Sequence, residues 1–102
     1  MGEVQKLESI RTEIRTVTKE IIRMAGRRFA LARELEEVKS SLNMKIEDPQ
    51  VERELRVESS KTCKEFNVEP TFCLRLVNLL IAESTRIQKE QRRRKGDAFN
   101  EN

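Results

Sequence analysis

The stretch VQKLESIRTEIRTVTKEIIRMAGRRFALARELEEVKSSL, residues 4–42, decides the fold. Val4, Leu7, Ile10, Ile14, Val17, Ile21, Met24, Arg28, Leu31, Leu35, Val38 and Leu42 follow one another in alternating steps of three and four. Such a sustained heptad seam is the signature of one long helix packed lengthwise against another. Gly26 weakens it by roughly 1 kcal/mol relative to alanine without having to break it. At 1.5 Å per residue this helix is on the order of 55 Å long. A compact globule of about 100 residues has a radius of gyration near 13 Å. Two shorter helices, all that the rest of the chain supplies, cannot cover so long a seam. The expected architecture is therefore all-α, with three helices per chain (one very long, one short, one medium) in an intertwined homodimer.

Outward from that helix the chain is punctuated clearly. Asp48 is an N-cap and Pro49 sits at the first helical position, where its missing N–H costs nothing. A second helix is expected over 49–66, with Val51, Leu55, Ser59, Thr62 and Phe66 on a weak inner face and Asn67 as the residue that ends it. Pro70 opens a third, expected over 70–94, whose inner stripe is Cys73, Val77, Leu80 or Ile81, Ser84 and Gln88. Residues 1–95 form one domain in this reading, and 96–102 a flexible C-terminal tail.

Composition narrows the chemistry. The 102 residues carry 21 basic and 18 acidic side chains, a net charge of +3, with both signs interspersed. That pattern describes a solvated, salt-bridged surface and not a nucleic-acid footprint. The dense run Arg92, Arg93, Arg94 and Lys95 reads as the last turn of a helix, where cations complement the dipole. With four Phe, no Trp and no Tyr, a stacking platform for single strands is not expected. There is no histidine, and Cys63 and Cys73 lack metal-ligand spacing, so neither a metal site nor a Cys–His nucleophile is expected. Both cysteines read as small core residues in a reducing compartment. No secretory signal and no membrane-spanning stretch is seen, which places the protein in the cytoplasm.

Several polar residues stand where a core would exclude them. Arg28 sits in the seam, so it needs an anion: a carboxylate on another helix or a carboxylate of a ligand. Lys39 lies eleven residues on, close to three full turns, and projects from the same face about 16 Å away. Arg11 is about 25 Å back along the helix on another azimuth, and reaches such a pocket only from a partner chain. Ser84 and Gln88 continue the apolar stripe at i, i+4, facing either water or a ligand. Glu52 near the start of the second helix pairs with Arg56 or serves the same pocket.

Taken in order, the Leu7–Arg11 segment, Arg28-Phe29-Ala30-Leu31-Ala32, Lys39, the Ile46-Glu47-Asp48-Pro49 turn with Glu52, and the Ile81-Ala82-Glu83-Ser84 to Gln88 ending resemble the all-helical class of chorismate mutases. The resemblance covers about the first ninety residues without a gap. It implies an interlocked dimer whose two sites are each completed by an arginine of the other chain, here Arg11. It implies the unimolecular rearrangement of chorismate to prephenate, in phenylalanine and tyrosine biosynthesis, with no cofactor. By the same resemblance Arg28 and Arg11 hold the substrate carboxylates, Ser84 assists, Lys39 and Gln88 donate to the ether oxygen, and Glu52 accepts from the ring hydroxyl with Asp48 in support. One position departs: the family usually has an arginine just before the glutamate, where this chain has Val51. Arg53 is about 200° around the helix from Val51 and is a poor substitute. The shortness of the chain leads us to expect a monofunctional enzyme. The alternative is a catalytically impaired mutase-like dimer acting as an interaction or regulatory subunit.

Overall fold

The computed structural model describes the backbone of residues 2–100 and the side chains of residues 2–96. It consists of α1 (Glu3–Ser41), α2 (Pro49–Glu65) and α3 (Pro70–Asn100). There is no strand among the described residues.

Each boundary has a local cause. The Asp48 carboxylate accepts from the backbone N–H of Gln50 and Val51, with Pro49 next to it, and so starts α2 as expected. Glu69 starts α3 by accepting from the N–H of Thr71 at 3.1 Å and Phe72 at 2.8 Å. Those backbone donors hold its carboxyl below the usual carboxylate range. α1 and α2 both end in a Schellman motif with an asparagine in the left-handed region, Asn43 at φ 55° and Asn67 at φ 56°. Met44 N donates to Lys39 O and Val68 N to Cys63 O, each at 2.8 Å.

Within the chain α3 packs against both other helices, whereas the backbones of α1 and α2 do not approach each other closely among the described residues. Cys73, Val77 and Ile81 of α3 form the core with Leu55, Cys63 and Val68. On α2 the inward face is Glu52, Leu55, Ser59 and Cys63, with Val51 and Phe66 exposed. This is turned by about one residue from the expected face. The turn follows from lining a polar cleft, where Glu52 is an acceptable inward residue and Phe66 is not needed.

Two further expectations are corrected. The cysteines are not separate core residues: Cys63 and Cys73 form a disulfide, their Cα atoms 6.2 Å apart. The turn at Asn67 folds the end of α2 back onto the start of α3 and brings the two within bridging distance. α3 also does not end near residue 94 but continues through Gly96 to Asn100, so the basic run lies inside a helix and not at its last turn. Residues 101 and 102 of the expected tail lie outside the described residues.

The long seam of α1 is left open. Val4 is 75 % exposed, and Ile10, Ile14, Val17, Ile21, Leu31, Val38 and Leu42 are also exposed. Val17, Ile21, Met24 and Leu31 open an apolar groove of about 610 Å³ with Leu76 and Leu80 of α3. The radius of gyration is 18.7 Å and the longest dimension 67 Å, against about 13 Å for a compact chain of this length. No described helix is long and apolar enough to cross a membrane.

Candidate active site

A second stripe of α1 faces α3; it meets the open apolar seam at Arg28, which was expected within the seam and borders both. Arg28 and Lys39 are partly buried on it, and Ala32 and Glu36 are fully buried. The small side chain at Ala32 lets the helices approach, and the long polar ones on either side reach past each other into the gap. Between this stripe, the start of α2 and the middle of α3 lies a cavity of about 140 Å³. Arg28, Lys39, Asp48, Glu52, Ser84 and Gln88 all line it. Six of the seven expected site residues, from three helices, therefore meet in one place. Leu35, Leu55 and Ile81 form its apolar wall, with Val51 and Thr85 at the side.

Arg28 has no carboxylate partner among the described residues. Its Nη1 donates to the carbonyl of Leu80 at 2.8 Å, which uses part of its fork and leaves the charge uncompensated. Burial pulls its pKa below the ordinary value, yet a guanidinium stays charged at any physiological pH. Lys39 likewise makes no direct ion pair among the described residues. Its Nζ donates to Ile46 O at 2.5 Å and to Gln88 Oε1 at 3.1 Å.

Gln88 is only 3 % exposed and its amide is fully engaged. The ammonium of Lys39 faces Oε1, while Nε2 donates to the carbonyl and hydroxyl oxygens of Ser84 at 3.2 and 3.1 Å. A cation on one side fixes which end of the amide is oxygen. The Ser84 hydroxyl, already accepting from Gln88, has its own proton to give to a ligand. Across the cavity, Glu52 makes no side-chain hydrogen bond or ion pair among the described residues. Arg56 instead donates to Asn78 Oδ1 at 3.0 Å, so the expected surface pair with Glu52 is not formed.

Arg11 is not among the residues lining this cavity; it pairs with Glu8 one turn back at 3.3 Å on the exposed surface of α1. The cavity of one chain thus sums to no net charge, with Arg28 and Lys39 against Asp48 and Glu52.

The sequence reading missed a pair directly behind the cavity. Glu36 has no exposed surface and accepts from Arg92 Nε at 2.5 Å, Arg92 Nη2 at 3.1 Å and Ser40 Oγ at 2.7 Å. Burial alone raises its pKa, but the hydrogen bonds of Arg92 and Ser40 and the charges of Arg92 and Lys39 outweigh that and hold it below the usual range. A signal existed: Glu36 is spaced four residues from Ala32 and three from Lys39, on the same stripe as Arg28.

The chain is similar to known proteins over most of its length. The family model described as chorismate mutase type II matches residues 10–89. A curated chorismate mutase of Methanocaldococcus jannaschii is 30% identical over 87 residues, which is 85% of this chain and 88% of that protein. No solved structure gave a significant match.

Proposed function

The chain belongs to the type II chorismate mutase family and is an isomerase of that activity, and we propose that it works as a homodimer, at the cavity between Arg28, Lys39 and Gln88. The observation that carries the site is the convergence of six expected residues, from Arg28 to Gln88, on one cavity. The rearrangement of chorismate to prephenate is unimolecular: one carbon–oxygen bond breaks as one carbon–carbon bond forms. A protein accelerates it by holding the reactive folded conformer and by stabilising the negative charge that grows on the ether oxygen.

Each residue then has a task in keeping with its surroundings. Arg28 offers its remaining N–H groups to one substrate carboxylate, with the Ser84 hydroxyl as a further donor. Lys39 turns its ammonium from the Ile46 carbonyl and Gln88 to the ether oxygen. With Oε1 released by Lys39, the Gln88 amide turns its Nε2 from Ser84 to donate to the ether oxygen as well. Glu52, without a partner in the free chain, accepts from the ring hydroxyl, and Asp48 supports it by setting the start of α2.

A dianion is poorly matched to a cavity of zero net charge. Arg11 of the partner subunit supplies the missing cation in this reading, and the open seam of α1 is the surface that brings it there. Val51 lines the cavity where the resemblance implies an arginine, which makes the partner's contribution weigh more. The impaired-subunit alternative has Val51 in its favour and is not favoured by the family match. The catalytic domain spans residues 1–95. We assign the protein to the cytoplasm, against which the Cys63–Cys73 bridge is the one observation, since disulfides are rare in most reducing compartments. Trapping the thiols of cell-extracted protein decides that point.

The direct test is loss of chorismate's ultraviolet absorbance with prephenate identified as product. Removing one preorganised donor to a developing oxyanion costs about 10²- to 10³-fold in kcat. Lys39→Ala is expected to lose at least that much while remaining a folded dimer. A folded Lys39→Ala dimer that turns over as fast as the wild type would refute the assignment.

A further inference from the structure

The ion pair of the fully buried Glu36 with the half-buried Arg92 lies one turn from the reacting groups on both helices that carry them. Glu36 is three residues before Lys39 on α1, and Arg92 is four residues after Gln88 on α3. Because Lys39 and Gln88 are hydrogen-bonded to each other at 3.1 Å, the two pairs form consecutive rungs of one α1–α3 interface. A buried ion pair is commonly no more stabilising than apolar residues of the same size. Its presence here calls for a reason beyond stability.

The reason lies in the α1–α2 turn. Arg92 Nη2 donates a further hydrogen bond, at 3.0 Å, to the carbonyl of Met44, and Lys39 Nζ donates to the carbonyl of Ile46. Two cations thus hold the same short turn, which ends at Asp48 and sets where α2 presents Glu52. The third tie, Lys89 to Glu47 at 2.9 Å, is exposed on both sides and of little weight. When Lys39 leaves Ile46 for the substrate, Arg92 is the anchor that remains, half-buried and seated on the fully buried Glu36. Its fork can serve Met44 only because Glu36, itself fixed by Ser40, grips Nε and Nη2 from the other side.

We propose that Glu36 and Arg92 are positioning residues of the mutase. By holding the α1–α2 turn and the last turns of the α1–α3 interface, they keep Lys39, Gln88 and Glu52 in reacting geometry once Lys39 has let go of the turn. This rests on the reading of the cavity as the mutase site.

The test is steady-state kinetics on the full chain carrying Arg92→Lys, which keeps the charge but not the fork, or Glu36→Gln, which keeps the shape but not the charge. Misplacement of reacting groups by about an ångström costs up to about 100-fold, so kcat is expected to fall about 10- to 100-fold. KM is expected to stay within about twofold, because the carboxylate clamps are untouched. If either variant fails to fold, Ser40→Ala decides: it removes one hydrogen bond to Glu36, and a several-fold loss of kcat at unchanged KM is expected. Wild-type kcat in folded Arg92→Lys and Ser40→Ala dimers overturns the proposal while leaving an active, Lys39-dependent wild type intact. An inactive wild type overturns instead the reading on which it rests.

Discussion

Replacing Ile14 with lysine puts a charge in the middle of the open seam of α1, where the side chain is 60 % exposed in the single chain. The chain exposes 8562 Å², whereas a compact protein of 12.0 kDa exposes about 6,000 Å². Two such chains merged into one compact particle would share about 9,900 Å², so pairing removes roughly 3,600 Å² from each. An interface of that size is obligate in character. Burying an isoleucine side chain is worth about 1.5–3 kcal/mol, and a two-fold interface contains Ile14 twice, so the substitution costs about 3–6 kcal/mol per dimer. That raises the dissociation constant by about 10²- to 10⁴-fold. Sedimentation velocity over a dilution series, with far-UV circular dichroism at the same concentrations, reads the effect. The wild type is expected to stay dimeric throughout, with a concentration-dependent melting temperature. Ile14→Lys is expected to dissociate on dilution and to lose helix and turnover together. Lys19→Ala, on the opposite face of α1, is the control. A wild type sedimenting as a well-folded monomer, or an Ile14→Lys dimer as tight as the wild type, would refute the reasoning.

The disulfide closes a loop of about ten residues, for which loop entropy gives about 2.7 kcal/mol. Reduction, or Cys63→Ser with Cys73→Ser, is therefore expected to lower the urea midpoint by about 1–3 M at fixed protein concentration. An unchanged midpoint would show that α2 is held to α3 without the bridge. Val51→Arg adds a cation at an exposed cavity wall, worth at most about 1 kcal/mol, so KM should fall by up to about fivefold with kcat little changed. An unchanged or raised KM would mean that the position does not face the substrate. The carboxyl of Glu36 is held low in the folded state, so its stabilisation is complete above the unfolded value and is lost as pH falls through the folded one. Urea midpoints taken downward from pH ~5 should drop less steeply in Glu36→Gln than in the wild type. Parallel curves would contradict the low value.

What the sequence disclosed and what it hid divide along one physical line. Features set by a few adjacent residues were legible: the Asp48–Pro49 start of α2, the asparagine that ends it, and the i, i+4 stripe of α3 from Cys73 to Gln88. The seam of α1 was legible as well, because apolar residues repeat along it. Features set by what lies across a gap were not. On α2 Leu55 and Ser59 face inward as read, but Glu52 takes the place expected of Val51 because a polar cavity lies there. Cys63 and Cys73 carry no spacing signal for pairing, and only the turn at Asn67 brings them together. Glu36 and Arg92 are ordinary members of a charge-rich sequence until the helices are packed.

This division has a consequence for how the molecule is built. Apolar periodicity in α1 found the face that remains open within one chain. The face that packs against α3 is made largely of Arg28, Ala32, Glu36 and Lys39, which no apolar pattern reveals. Within the chain, then, the contact between α1 and α3 and the candidate site are one surface, held by hydrogen bonds and ion pairs. Most apolar burial lies in the small α2–α3 core, with Ala32 of α1 and Ile87 of α3 the buried apolar residues outside it among the described residues. A polar interface specifies register strongly but contributes little net stability. A chain built this way is expected to be poorly stable alone, and in the proposed dimer burial of the seam supplies what the polar face does not. In the proposed dimer, Arg11 of the partner subunit reaches the cavity by the same step that buries the seam. That coupling is why loss of the dimer and loss of turnover are expected at the same protein concentration in Ile14→Lys.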